Sequence, residues 1–406
     1  MKRSPMAVLF TAVLVDMMGF GIVIPVLPFY ALELGATPLQ VTLLIASFSA
    51  TQMAATPVWG RVSDRRGRRP LLIAGLFASA VSYLIFGLAS SLWLLLLSRM
   101  AAGAAGGTIS VAHAYVADST SPEKRASAMG HIGAAAGLGV MLGPAIGGFF
   151  SRFGLGAPGF VAAALCLLNA LAAIALLPES RPRRAGSAER TSPTASLGEW
   201  FRTMTSYPLS LLLGVYFLGI SAFSAITALL ALYFESRFAI TAEQMGLIFT
   251  LSGGTTVLVR GVLLGVLVRR LGEARTAQLG AAGLLVAAAM VPLIPNPWWA
   301  ALLVPLYAFG AGTLFPALAT LVSLATDADS QGSTLGGSQV VGGLGRVTAP
   351  LWGGWLFQQV GIGSPYLVAA ALAALALLLA RRIPHTRYAP RDAAAAAPGL
   401  AGSRTP

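Results

Sequence analysis

The chain is a succession of apolar runs separated by short polar breaks, and nearly every run is long enough to cross a bilayer. A spanning helix needs about 20 mostly apolar residues. Twelve such runs are read, over residues 6–31, 39–59, 71–89, 92–116, 128–150, 157–177, 208–234, 242–267, 277–294, 298–325, 335–358 and 364–380. Only 10% of the 406 residues are charged and 56% are hydrophobic, against about 25% charged in a soluble domain. So few charges do not cover a soluble surface, and so apolar a chain is not disordered. The apolar stretch after Lys2 and Arg3 is too long for a cleaved signal and reads as the first crossing. The expected fold class is an all-α membrane protein, with twelve transmembrane helices in two six-helix pseudo-symmetric bundles.

The net charge of +13 acquires a meaning once the bases are placed between the runs. Lys2 and Arg3, the arginines from Arg61 to Arg69, Lys124 and Arg125, those from Arg181 to Arg202, Arg269, Arg270 and Arg275, and those beyond Arg381 all fall on one side. Arg152 and Arg237 alone fall on the other, and Arg99, Arg260 and Arg346 lie inside runs. Positive loops stay in the cytoplasm, so both termini are expected there. An odd number of crossings would scramble this asymmetry. The basic excess therefore orients the protein and does not indicate a nucleic-acid partner. The single cysteine, Cys166, forms no internal disulfide and reads as a packed apolar residue.

The longest polar stretch divides the chain into residues 1–178, a cytoplasmic linker at 179–207 with a short amphipathic helix around Leu197–Thr205, residues 208–382, and a disordered tail at 383–406. The two large parts repeat. Gly60, Arg65 and Gly67 of the segment GRVSDRRGRR recur as Gly265, Arg270 and Gly272. Gly137, Gly139, Pro144, Gly147 and Gly148 recur as Gly343, Gly345, Pro350, Gly353 and Gly354, at nearly the same offset. A parallel repeat of six helices is the organisation of a transporter that rocks one bundle against the other.

The loop from Gly60 to Arg69 resembles the cytoplasmic signature of the major facilitator superfamily, and the resemblance covers residues 6–382. The run through Gly137, Gly143, Pro144, Gly147 and Gly148 resembles the fifth-helix signature of its drug:proton antiporter branch. The first helix, from Asp16 to Pro28, is similar to that of tetracycline efflux proteins. The resemblance implies a conformational latch at Gly60, Asp64, Arg65, Gly67, Arg68, Arg69 and Asp118. In it Asp64 is expected against the N-terminus of span eleven, near Gly336 and Gly337, and Arg68 is expected to reach Asp118. A basic loop that merely obeys the orientation rule would also account for Arg61, Arg66 and Arg69. In span five, Pro144 lacks a backbone donor and is expected to kink the helix, while the glycines permit close packing.

Charges inside a bilayer are expensive and mark function. Asp16 lies about 15 Å into the first span, at 1.5 Å per residue, and is the one acid near the midplane. It is the leading proton-carrying or substrate-facing group, or else a structural carboxylate paired with an arginine. Arg99 lies at a comparable depth, and an Asp16–Arg99 pair is expected. Arg346 falls near the midplane of span eleven. Arg260 lies nearer the cytoplasmic end and can snorkel. His113 serves as a proton shuttle or as a hydrogen-bonded structural residue. Gln52, Asn169 and Gln339 are further polar candidates. Tetracycline efflux proteins carry an acid before a tyrosine in span three, where this chain has Ser82 before Tyr83. One acid against three arginines suits an anionic or zwitterionic solute.

The leading functional expectation is proton-coupled efflux of a drug or other small amphipathic molecule, tetracycline-like compounds included, by alternating access. The alternative is a proton-coupled symporter of a nutrient or organic anion. No HExxH, CxxC, Walker A or carboxylate cluster points to an enzyme or an ATP-driven pump. The expected partners are a small-molecule substrate, protons and the lipid bilayer. No metal, cofactor or nucleic acid is expected, the proton gradient supplies the energy, and the protein is expected to be a monomer in a bacterial inner membrane.

Overall fold

The computed structural model describes residues 5–180, 202–326 and 330–383, and all regular structure among them is helical. Helix α1 runs Pro5–Val23 and resumes at Leu27–Glu33. There follow α2 (Pro38–Arg66), α3 (Arg68–Gly87), α4 (Leu92–Ala105 resuming at Thr108–Ser119), α5 (Pro122–Phe150), α6 (Ala157–Leu176) and α7 (Leu209–Phe238). The helical stretch Ala242–Leu293 holds two crossings, because Gly272 has φ 80° and ψ 168° and breaks it. We number the parts α8 (242–271) and α9 (273–293). Helices α10 (Pro297–Leu324), α11 (Gln331–Gln359) and α12 (Ser364–Ala380) complete the order. Nine helices among the described residues are long and apolar enough to cross a membrane. Dividing the stretch at Gly272 and adding the glycine-rich α11 and the shorter α12 gives twelve segments.

Local chemistry explains the boundaries. Helix α2 starts with a capping box: Thr37 Oγ1 accepts the Gln40 N–H at 3.4 Å, and Gln40 Oε1 accepts the Thr37 N–H at 2.8 Å. Helix α8 starts in the same way, with Thr241 and Gln244. Each box satisfies two of the backbone donors that a helix start leaves unpaired. The repeat thus extends to the helix starts. Pro144 and Pro350 sit inside continuous helices, so the kink expected at Pro144 does not interrupt α5. Helices α2, α5 and α11 each run 29 residues. At 1.5 Å per residue that is about 43 Å, longer than the ~30 Å hydrocarbon layer.

Helix α1 packs on α5 and α6, and α3 on α4 and α6. Helix α7 packs on α11 and α12, and α9 on α10 and α12. The first six helices meet the last six chiefly through α5 with α8 and α2 with α11. These contacts are tight at the end away from the base-rich loops. A Cβ on Gly246 would lie 2.5 Å from the Pro144 carbonyl and 2.8 Å from Gly148 Cα, so only glycine fits between the two backbones there. The Leu39 N–H donates to Gln358 at 3.3 Å, and Arg152 Nε donates to Glu243 Oε2 at 2.6 Å. Toward the base-rich end, Gly60, Gly130, Gly133, Gly261 and Gly336 have open space beside them. The described close contacts between the two sets thus include a tight junction at the end away from the base-rich loops. Residues 181–201 of the linker expected at 179–207, and residues 384–406 of the expected tail, lie outside the described residues, while residues 202–205 are helical.

Candidate functional site: a cavity between the two sets of six helices

A cavity of about 210 Å³ lies between the two sets, lined by Phe20, Phe48, Gln52 and Arg99 from the first and by Phe223, Thr227, Phe249 and Arg346 from the second. Its walls are mostly apolar and aromatic, with few polar groups, which is the make-up of a small-molecule site. Two of those groups are arginines, one from each set. Arg99 is 4% exposed. Its Nε donates to the neighbouring Ser98 hydroxyl at 3.3 Å, its guanidinium lies 5.0 Å from the Phe86 ring centre, and its Nη2 finds no acceptor. No hydrogen bond or ion pair joins Arg346 to another described residue. Both cations face the cavity without a carboxylate.

Asp16 is also 4% exposed, yet it does not line this cavity. Its carboxylate accepts a hydrogen bond from the Ser79 hydroxyl at 3.1 Å, while the Thr108 hydroxyl donates to the Ala105 carbonyl. The expected Asp16–Arg99 ion pair is absent among the described residues, which corrects the reading from the sequence. Tyr83 stands near both charges, and its ring is held close to α1 where Gly19 leaves room. Depth along a helix places a charge in one dimension only; which way it faces is set by packing. Asp16 and Arg99 therefore belong to one neighbourhood without touching.

Gln52 has a double position. It lines the cavity, and its amide donates to the Gly106 carbonyl at 3.4 Å, across the break in α4. Trp59 Nε1 donates to the Ala104 carbonyl at 2.6 Å on the same break. These two side chains satisfy carbonyls that the interrupted helix leaves free. His113 is half-buried on α4, away from the cavity. Asn169 ties α6 to α1 through the Ala12 carbonyl at 2.9 Å. Arg260 and Gln339 lie together beside a different cavity.

The loop between α2 and α3 forms a compact charge cluster. Arg68, 6% exposed, bonds Asp64 at 2.7 Å, Asp118 at 2.8 Å and the Ser63 hydroxyl at 2.6 Å. Asp64 turns to Arg68, and the space beside Gly336 is open. The described contacts of Asp64 are with Arg68, and they leave its expected placement near Gly336 and Gly337 as an expectation. Gly60 and Arg65 lie in the last turns of α2. Gly67 joins the helices with φ 97°, a backbone region that favours glycine.

Sequence reading missed Glu179. This acid follows α6 directly and accepts the backbone N–H groups of Arg68 at 3.0 Å and Arg69 at 3.2 Å, at the start of α3 where unpaired donors collect. Arg69 donates to the Ile174 carbonyl at 2.6 Å and Tyr115 to the Pro178 carbonyl at 2.8 Å. The end of α6 is thereby fastened to the loop. The only signal was an acid just before a basic stretch, and charges of both signs collect wherever a membrane helix meets water.

In α5, Gly143 and Gly147 press on the backbone of α1 near Gly21 and Ile22, Gly148 presses on α8, and Gly137 stands 3.7 Å from Val257 for a built Cβ. The expected antiporter segment is thus a three-way contact of α5 with α1 and, across the cavity's closed end, with α8.

The chain is 32% identical to the class C tetracycline resistance protein of Escherichia coli, over 86% of this chain and 89% of the relative. It is 30% identical to multidrug resistance protein 2 of Bacillus subtilis, over 91% and 92%. Its fold is similar to the crystal structure of the human organic anion transporter MFSD10 (TETRAN), with TM-score 0.68, 26% identity and coverage of 93% and 99%. Residues 9–350 match the model of the Major Facilitator Superfamily. With its multi-pass helical body, its repeat and this match, the chain belongs to the Major Facilitator Superfamily.

Proposed function

We propose that this protein is a proton-coupled exporter of small amphipathic drugs that carry an anionic or zwitterionic group, working in a bacterial inner membrane. The observation that carries the reading is the inter-bundle cavity with Arg99 and Arg346 on facing walls, neither matched by an acid. An uncompensated cation away from water is costly, and an anionic group on the solute relieves it. The aromatic wall from Phe20, Phe48, Phe223 and Phe249 accepts the apolar body. The relatives that are resistance proteins support export, and the organic anion transporter supports the charge class.

The base-rich end is the cytoplasmic one by the charge rule, so a state sealed at the Gly148–Gly246 junction receives solute from the cytoplasm. Asp16 is the proton site in this reading. An ionised carboxylate held by a single hydroxyl is expensive in the membrane, and a proton removes that expense. The gain or loss of that charge beside Tyr83 and Arg99 biases which end is closed. No cofactor enters the scheme, because the proton gradient drives the cycle.

The test uses inverted membrane vesicles with an acidic interior and an efflux-deficient host. Drug should accumulate inside when the gradient is imposed and leave when it is collapsed. Asp16→Asn fixes the neutral form, so gradient-driven accumulation should fall at least tenfold while drug binding persists. Susceptibility unchanged for tetracyclines and every other drug tried would sink the export reading. Uptake in the same direction as the proton would favour the organic-anion symporter instead.

A further inference from the structure

Of the three membrane arginines, Arg260 has no place in the cavity just described. It lies in α8 on a π-helical turn, Val259–Leu263. Such turns widen the backbone, are uncommon, and occur mostly at functional positions. Beside it is a separate cavity of about 250 Å³, lined by Tyr216, Arg260, Phe315, Ser338 and Gln339 among others. No hydrogen bond or ion pair joins Arg260 to another described residue. Gly342 lets the Tyr216 ring press against α11, since a Cβ there would lie 2.7 Å from the ring.

The two cavities share an aromatic partition. Phe315 lies 5.7 Å from Tyr216 and 5.6 Å from Phe223, ring centre to ring centre, both edge to face. Tyr216 and Phe315 line the Arg260 cavity, and Phe223 lines the one that holds Arg346. Each side of the partition thus has aromatic faces, a side-chain amide and unmatched guanidinium, Arg260 on one side and Arg99 with Arg346 on the other. Arg260 lies on the base-rich side: Gly261 beside it has open space, and the chain continues from it to the basic loop at Arg269 and Arg270.

We propose that the Arg260 cavity is a second binding site, an antechamber on the base-rich side that takes an aromatic organic anion before it passes the Phe223–Phe315 partition to Arg346. A guanidinium pairs a carboxylate or sulfonate through two parallel N–H bonds. The Gln339 amide supplies a further donor, and Tyr216 and Phe315 stack on the ring. The assignment rests on the anionic-substrate reading of the central cavity, and it adds a site which that reading does not require.

The test is equilibrium dialysis of radiolabelled naphthalene-2-sulfonate against the purified full-length protein in lipid nanodiscs. Neutral 2-naphthol corrects for partition into lipid, and a naphthyl trimethylammonium ion is the opposite-charge arm. Wild-type protein should bind the sulfonate at two classes of site. Arg260→Gln should remove one class and Arg346→Gln the other, and Arg260→Lys should restore at least part of the class lost in Arg260→Gln. Binding of the ammonium ion should not change with Arg260. Thermal unfolding of each variant checks that it is folded. A single class, lost with Arg346→Gln and indifferent to Arg260→Gln, overturns the antechamber and leaves the central site standing. Absence of sulfonate binding in the wild type overturns both. Loss of sulfonate and ammonium binding together in Arg260→Gln also overturns the proposal, because it marks a structural role.

Discussion

The loop after α2 and its repeat after α8 have the same backbone and opposite attachments. Gly67 and Gly272 both take positive φ, 97° and 80°, with ψ of 161° and 168°. Around the first glycine the charges are Asp64 and Arg68; at the equivalent places around the second they are Arg269 and Glu273. The signs are exchanged. In the first loop the pair closes and continues to Asp118 and Ser63. In the second, no ion pair joins Arg269 to Glu273 among the described residues. Glu179 presses on Gly67, whereas Gly272 has open space. A duplicated turn can keep its geometry through glycine alone, because φ above zero depends on the missing Cβ. The clamp needs partners from α4 and α6, which the second copy does not offer in the same form.

The largest effect expected from this difference is at Arg68. Arg68→Ala leaves Asp64 and Asp118 without their shared cation and should cost about 1–3 kcal/mol, with export per molecule strongly reduced. Glu273→Ala, at the equivalent position in the second loop, should stay within about 0.5 kcal/mol. Thermal unfolding in detergent and export at matched membrane abundance measure both, and equal losses would erase the distinction. Asp64→Asn should lower export with a smaller loss of stability, since Asp64 is largely exposed.

Next in size is the glycine pair. Alanine at either position carries strain of about 1–2 kcal/mol. Gly67→Ala should cost more, because the new Cβ would lie 2.7 Å from Glu179 Oε2. Adding Glu179→Ala relieves that clash but surrenders the acceptor of the α3 start. The two mutations should therefore be non-additive when their unfolding temperatures are compared. Strict additivity would mean that Glu179 does not bear on the turn.

The smallest effect belongs to a pair outside both loops. Arg152 and Glu243 bridge the two sets of helices in solvent, where screening leaves exposed pairs weak. Arg152→Ala and Glu243→Ala should each leave stability nearly unchanged. Their coupling should appear instead as a small, salt-sensitive shift in accessibility of a cysteine placed at Gly336. No shift at low salt would show that the bridge does not bias the closed end.

Much of the architecture was legible because each crossing writes about 20 apolar residues into the chain, and because bases collect on one side. Even the glycine-rich α11 was read as a run over 335–358, and its repeat of α5 agrees with that reading. The cavity was less legible. Arg99, Arg346 and Gln52 were singled out as charges or amides out of place, and they do meet. Asp16 was expected to touch Arg99 and touches Ser79 instead, because residue spacing gives depth and not direction around the helix axis. Ser79 carries no signal, since serine and threonine are common in membrane helices for packing alone. The π-turn at Val259 has no composition of its own, so the separation of Arg260 from the other two arginines appeared only in three dimensions.

The contact between Gly148 and Gly246 has one more consequence. With no side chains between them, the two backbones meet almost as bare rods, and their meeting point can act as a fulcrum. Helix α5 extends about 43 Å in all, and Gly148 is near one end of it. Rotation by about 10° at such a pivot swings the far end by roughly 7 Å over that length, about the breadth of an aromatic ring. A small tilt at the narrowest junction therefore suffices to admit a flat molecule at the distant mouth, while the junction itself remains shut to water.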